Sequence, residues 1–250
     1  MDWSQKRKLI YGAIFIALAV VVFGVPSFLT FYKAPTCFDG KQNGGEEGID
    51  CGGRCSRLCQ SAFQSPNVAW TRFEKVAPGI YNVAAYIINP NTTGEASDVP
   101  YHIALYDKQG MLIVDLTGTV TLPPHRNTLA FIGAVSVGGR TPERALFDFT
   151  ALPDWHTMID PLMLLGIGGK DYTDSATDSS LSVTVKNTGT KPIDNISIYA
   201  VLYDKNGDTL GFSKTILDEI PALGSTVAPF TWSVSRQGQV ISIEVLPVAE

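Results

Sequence analysis

Four cysteines and a short run of oxygen donors hold most of the chemistry this 250-residue chain can offer. Cys37, Cys51, Cys55 and Cys59 stand close together, and no other cysteine occurs. The intervals between them are 13, 3 and 3 residues. Structural zinc sites favour C-x2-C pairs, so this spacing argues against zinc. In an oxidising compartment an even, clustered set reads as two disulfides. Three pairings are possible, and spacing alone does not choose among them. The loop between Cys37 and Cys51 carries Asp39, Asn43, Glu46, Glu47 and Asp50, all hard oxygen donors. Asp39, Asn43, Glu46 and Asp50 are the candidate ligands if the loop holds calcium. The pattern is not that of an EF-hand, and the plainer reading is a solvated acidic turn.

Catalytic constellations are not legible elsewhere. The three histidines are His102 in a strand pattern, His125 after Pro123-Pro124, and His156 in an apolar linker. No HExxH, GxSxG, P-loop or strand-borne GxGxxG pattern is present. Gly166-Ile167-Gly168-Gly169 precedes no helical pattern and reads as a strand-entry turn. Asp107 and Asp204 occupy turn positions, where a carboxylate bonds backbone amides. Tyr106 and Tyr203 read as core or rim anchors. Asn91-Thr92-Thr93 and Asn195-Ile196-Ser197 match glycosylation sequons. The expectation is a chain that is not an enzyme, with no catalytic residue, no resident metal and no cofactor.

What places these residues is Leu9–Tyr32, 24 residues without a charged side chain. As a helix it would extend about 36 Å, enough for a hydrocarbon core of about 30 Å. Lys6, Arg7 and Lys8 precede it and only Lys33 follows closely, so the N-terminus is expected in the cytoplasm and residues 33–250 outside. Trp3 and Tyr11 could mark the inner interface, and Phe28, Phe31 and Tyr32 the outer one. Pro26 stands near the outer end, where a kink is tolerated. No small-x-small cleavage site follows the apolar run, so an uncleaved anchor is expected rather than a signal peptide. Three of the 19 Lys+Arg and one of the 24 Asp+Glu precede residue 33, which leaves 16 against 23 outside, a charge of −7. With that balance and no basic stripe, nucleic acid is not expected as a partner.

Beyond the cysteines the chain repeats. Leu105-Tyr106-Asp107-Lys108-Gln109-Gly110 returns 97 residues later as Leu202-Tyr203-Asp204-Lys205-Asn206-Gly207. Asn89 and Asn187 are 98 apart, as are Leu122-Pro123 and Ile220-Pro221. An offset this steady indicates tandem duplication. Leu181, Val183 and Val185 alternate with Ser182, Thr184 and Lys186, the pattern of a half-buried strand, and Ile196, Ile198, Ala200 and Leu202 do the same on the next. Further strands are expected at 209–216, 225–232 and 240–245. Turn signals every eight to twelve residues, without helices, point to antiparallel sandwiches.

The expected fold is therefore mainly β. A cytoplasmic tail (1–8) leads to a transmembrane helix (9–32) and a small disulfide-rich collar (33–62). Two tandem immunoglobulin-like antiparallel β-sandwiches follow (67–150 and 166–250), joined by a linker (151–165). That linker, with Trp155, His156, Met158 and Met163, is too apolar to be a free tether and is expected to pack into the seam between the modules, with a short helical turn at 153–158.

Two resemblances bear on this reading. The string from Cys37 to Cys55, C-x-D-G-x-x-N-x-x-E-x-G-x-D-C-G-G-x-C, is similar to a Cys-rich motif of surface and secreted proteins of bacteria and archaea. It implies export, not an activity. The second module resembles the FxLYD family of bacterial envelope domains, through Lys186-Asn187-Thr188-Gly189, Leu202-Tyr203-Asp204 and Gly207. Ala200 stands where that family's aromatic would be, and Ile103 does so in the first copy. The family implies a membrane-tethered β-sandwich outside the cytoplasm and supplies no catalytic residues.

The function expected from these features is non-enzymatic. It would be a single-pass protein of the cell membrane, held in the lipid bilayer by Leu9–Tyr32. Its sandwiches would contact another envelope protein or serve as a subunit of a membrane complex. A ligand- or calcium-binding envelope module is the alternative.

Overall fold

The computed structural model describes residues 3–158 and 160–249. The first two residues of the expected tail, Ile159 of the linker and Glu250 lie outside the described residues. The chain divides into two units, Met1–Cys55 and Ser56–Glu250.

In the first unit a helix runs from Trp3 to Phe31 and is long and apolar enough to cross a membrane. None of its residues is buried. It begins earlier than the apolar run and takes in Lys6, Arg7 and Lys8; the Arg7 guanidinium lies 3.8 Å over the Trp3 ring. Val20–Gly24 form a π-turn, in which the Val25 N–H donates to the Val20 carbonyl five residues back. Pro26 is the cause: its ring crowds the carbonyl four residues behind it, and a widened turn relieves that clash. The Thr30 hydroxyl donates to the Pro26 carbonyl at 2.9 Å, and the Tyr32 N–H to Phe28 at 2.8 Å where the helix stops.

Among the described residues the second unit contains twelve strands. The first module contains β1 (Asn67–Ala77), β2 (Ile80–Ile88), β3 (Ala96–Tyr106), β4 (Leu112–Leu122), β5 (Thr128–Ser136) and β6 (Arg144–Phe149). The second contains β7 (Leu165–Asp174), β8 (Ser179–Asn187), β9 (Ile193–Tyr203), β10 (Thr209–Ile220), β11 (Ser225–Trp232) and β12 (Ser242–Ala249). Each module is a pair of three-stranded antiparallel sheets: β1-β2-β5 and β4-β3-β6, then β7-β8-β11 and β10-β9-β12. The two topologies are identical strand for strand. Their starts also keep the sequence offset, with β1 and β7 98 residues apart and β3 and β9 97 apart. The duplication read from the repeated turns is a duplication of the whole sandwich.

Each module has its own core. In the first, Val83, Ile87, Ile103, Leu105 and Leu122 meet between the sheets; in the second, Leu181, Val183, Ile198, Leu202 and Ile220 do. A third apolar cluster lies between the modules. Ala84 and Tyr86 of β2 and Leu129 of β5 face Tyr199 and Val201 of β9, Phe212 of β10, and Leu246 and Val248 of β12. The outer face of one sheet of the first module thus packs on the outer face of one sheet of the second. Strands β2 and β9 are covered on both faces, which is why residues 83–87 and 196–202 are buried without a break.

The linker corrects the expectation made for it. The sheet faces close most of the seam themselves, and the linker reaches only its edge, where Met158 lies beside Tyr199 and Val248. Trp155 enters the core of the first module, stacked on Phe63 with ring centroids 4.8 Å apart, and Leu162 enters the core of the second. Residues 153–158 form no helix; the one helical turn is 3-10, at Pro161–Leu164. The Asp160 side chain accepts the Leu162 N–H at 2.8 Å and so caps the start of that turn. Gly166–Gly169 lie inside β7, at a bulge between Ile167 and Lys170, rather than in an entry turn.

Candidate functional site

The collar residues are gathered by backbone geometry. Cys37 is bonded to Cys55, with Cα atoms 5.7 Å apart. Cys51 and Cys59 are also disulfide-bonded, and none of the four is free. Asp50 sits at φ 54°, and its carboxylate accepts the N–H of Asp39 at 2.9 Å and that of Gly40 at 2.9 and 3.1 Å. Asp39 in turn accepts from the Asn43 amide and the Lys41 N–H, both at 3.0 Å. The Asn43 hydrogen bond, then the backbone amides, hold the Asp39 carboxyl below the usual carboxylate range, against some desolvation. Glu46 accepts the Asn43 N–H at 3.1 Å.

The predicted calcium set is therefore used to close the loop. Asp39, Glu46 and Asp50 do not bring oxygens to one point among the described residues. The one group of potential ligands there, Cys37, Glu46 and Cys55, includes two sulfurs already bonded to each other. A side chain on Gly53, at φ 58°, would run into the Gly45 carbonyl, so the C-G-G corner needs glycine at its third position.

The histidines remain separate. His102 on β3 lies on the exposed outer face of its sheet, with Nδ1 3.1 Å from Asp115 and Nε2 3.6 Å from Asp148. His156 pairs its backbone with Glu95 and Arg57, and its Nε2 lies 3.3 Å from Asp154. His125 occupies the turn between β4 and β5 at φ 58°. The turn role read for the two aspartates holds. Asp107 accepts the N–H of Gln109 at 3.0 Å and Met111 at 2.9 Å; Asp204 accepts those of Asn206 and Asp208, both at 2.8 Å. The Arg140 side chain lowers the Asp107 carboxyl further, while backbone amides lower Asp204.

The most organised polar chemistry lies in the seam, which the sequence reading did not nominate. Glu244 of β12 accepts the Tyr86 hydroxyl from the first module and the Tyr203 hydroxyl from the second, each at 2.8 Å, one on each carboxylate oxygen. Burial pushes the Tyr86 hydroxyl up to about 12, and the bond to Glu244 adds to it. Tyr203 moves up for the same two reasons, in the same order. Asn127 donates to the Tyr86 oxygen at 2.9 Å.

At the other end of the seam Arg236 meets Glu74, whose carboxylate also accepts the Phe212 N–H at 3.2 Å. Burial raises the Glu74 carboxyl against the pull of Arg236. The Ser233 hydroxyl donates to the Val76 carbonyl at 2.8 Å across the same boundary. Tyr203 is the tyrosine of the repeated Leu-Tyr-Asp element, so one of the expected anchors is a seam anchor. Its counterpart Tyr106 carries the Arg144 guanidinium 5.2 Å from its ring centroid.

No family model and no curated protein matches the chain. Among solved structures, it is similar to a β-glucuronidase of glycoside hydrolase family 2 at 11% identity and TM-score 0.25, covering 71% of this chain and 24% of that one. A chitinase from Bacillus thuringiensis follows at 16% identity and TM-score 0.21, covering 75% and 30%. A tandem CBM22 domain from Paenibacillus barcinonensis Xyn10C is similar at 10% identity and TM-score 0.15, covering 75% and 87%. This chain spans about a quarter of the glucuronidase and under a third of the chitinase. Likeness at these TM-scores carries no argument about fold or activity.

Proposed function

We propose that this chain is a non-enzymatic, single-pass membrane protein. Its two sandwiches, held as one body outside the cytoplasm, serve as a platform for contact with another envelope protein or within a membrane complex. The observation that carries this reading is the seam. An apolar cluster, a carboxylate shared by tyrosines of both modules and a partly buried Arg236–Glu74 pair join the sandwiches face to face. Rigid β scaffolds of this kind present surfaces and loops for recognition. The apolar helix, unburied and long enough to span a bilayer, supports the anchor. Four oxidised cysteines support an exterior address, where disulfides persist. Lys6, Arg7 and Lys8 support an N-terminus inside.

Thiol counting tests the address. Protein taken from its native membrane and alkylated before reduction is expected to carry no label, and after reduction a label on each of the four cysteines. Labelling of all four before reduction would overturn the exterior placement. Cross-linking on intact cells with a membrane-impermeant reagent then tests the platform. A discrete adduct of fixed mass, lost when seam variants separate the modules, is expected; adduct formation by the cytoplasmic tail alone would defeat the reading.

A further inference from the structure

A cleft of about 360 Å³ opens where the lower ends of β3, β4 and β5 meet β9, β12 and the linker. Its walls include Glu95, Ser97, Asp98, Thr128, Met158 and Tyr199. We propose that it binds a primary alkylammonium group, either of a free amine or of a lysine side chain.

Four observations carry the assignment. First, Glu95 is a buried residue with a half-buried carboxylate, and among the described residues that carboxylate's one hydrogen-bond partner is the Ser97 hydroxyl at 2.7 Å. Among the described residues no basic side chain pairs with Glu95 or with Asp98 beside it. Two cations lie nearby: Arg126 is bound to Asp160 at 3.1 Å and to the Leu162 carbonyl at 2.8 Å, and the Lys214 ammonium lies 5.5 Å from the Tyr199 ring centroid. Buried carboxylates are ordinarily paired, and among the described residues this one has no positive partner.

Second, Thr128 is fully buried in the cleft wall, and its hydroxyl oxygen has no hydrogen-bond partner. Buried polar atoms without partners are uncommon in folded chains, and one explanation is a bound group that supplies the missing partner. An ammonium carries three N–H donors and no acceptor. One carboxylate and one hydroxyl acceptor suit it, and Asp98 adds charge of the right sign.

Third, Met158, Val248 and the Tyr199 ring give one part of the wall an apolar surface, beside the polar Thr119 and Thr121. A methylene chain can lie against that surface while its head reaches the carboxylate. Fourth, the volume falls within the range of pre-formed small-ligand sites, and the cleft is lined by both modules, so the seam holds it in shape. Burial, and to a lesser extent the nearby Asp160 charge, raise the Glu95 carboxyl; a bound ammonium would pull it back down.

The test is calorimetric titration of the full-length chain in detergent at neutral pH with n-pentylamine. Saturable binding is expected, with no heat from n-pentanol or pentanoate at the same concentrations. Glu95→Gln should weaken the affinity by about tenfold or more, the scale of losing a charged partner for a buried hydrogen bond. Asp98→Asn and Thr128→Val should each weaken it less. Binding of Nα-acetyl-lysine amide as well would assign the source to a lysine side chain; binding of pentylamine alone would assign it to a free amine.

Pentanol binding as well as pentylamine, no binding of the amine, or a folded Glu95→Gln that binds as the parent does would each overturn the proposal. The alcohol and carboxylate controls need no variant. They decide the matter even if Glu95→Gln fails to fold. The cleft is a property of the paired modules and does not depend on which side of a membrane they stand, so thiol counting and this titration can fail separately.

Discussion

The Tyr86 hydroxyl of the first module donates to the Glu244 carboxylate of the second at 2.8 Å. The same carboxylate takes Tyr203 on its other oxygen. A hydrogen bond to a charged acceptor in a half-buried seam contributes about 1.5–3 kcal/mol before neighbours relax. Tyr86→Phe is therefore expected to destabilise the chain by about 1–2 kcal/mol. A double-mutant cycle of Tyr86→Phe with Glu244→Ala should show a coupling of roughly 1 kcal/mol or more, since the groups touch. Denaturant melts of the four proteins measure it. Strict additivity would mean that the seam does not use this bond.

Trp155 is the second fixed point. It lies outside every strand, yet is fully buried in the first core and stacked on Phe63. Its chain neighbours are tied down as well: the Leu58 N–H donates to its carbonyl at 2.7 Å, and the Glu95 and His156 backbones exchange bonds at 2.8 and 2.9 Å. Trp155→Ala should cost about 3–5 kcal/mol through the cavity it leaves. Loss of protection from hydrogen exchange is expected at residues 56–63 and 154–158 together, because the two segments share this ring. A loss confined to one of them would refute the shared anchor.

The duplication, the sandwich grammar and the turn aspartates were legible because each is local or periodic. A seam was expected, with the linker packed into it; the sheet faces that form it were not read, although their signal stood in the differences between the copies. Ala84 and Tyr86, paired in register with Phe131 and Leu129, lie in the seam. Their equivalents Ser182 and Thr184, paired with Pro229 and Val227, lie on the free face of the second module. The converse holds on the other sheet. Tyr199 beside Leu246 and Val201 beside Phe212 are in the seam; His102 beside Asp148 and Ala104 beside Asp115 are on the free face of the first module. One face per copy is apolar and its duplicate is polar, which lets two modules join and limits further stacking. The pairing of Glu74 with Arg236, 162 residues apart, and the cleft at Glu95 had no sequence signal, because each depends on how the two modules meet.

The collar has little apolar surface, so its bridges and carboxylates must hold it. Replacing both Cys37 and Cys55 by Ser removes a crosslink whose chain-entropy contribution is about 3 kcal/mol. Protease cleavage between residues 38 and 54 should then become fast while the sandwiches stay resistant. Asp50→Ala should act in the same direction, because it leaves the Asp39 and Gly40 amides without their acceptor. Added calcium is expected to protect neither variant, since the carboxylates serve backbone amides; protection by calcium would restore the loop as a metal site.

Acid should weaken the hairpins before it weakens the cores. Asp107, Asp174 and Asp204 all have carboxyls held below their ordinary value of 3.8. The Arg140 hydrogen bond is the main cause for Asp107, the Gly238 amide for Asp174 and the Asp208 amide for Asp204. A depressed acid favours the folded state above its unfolded pKa, and that contribution is lost as pH falls from there through the folded pKa. Glu74 and Glu95 have the opposite sign. Burial raises both above 4.5, so their contribution is complete below that value and fades as pH rises through the folded pKa. Melting temperature should therefore fall as pH drops below about 4, the unfolded carboxylate range. Asp204→Asn should lower the melting temperature at neutral pH and flatten that acid limb, since Asn keeps an acceptor but does not titrate. Glu95→Gln should leave the acid limb in place and change the slope only above it. Melts of the parent and both variants across pH 3 to 8 separate the two groups, and an acid limb unchanged in Asp204→Asn would show that this turn does not contribute to it.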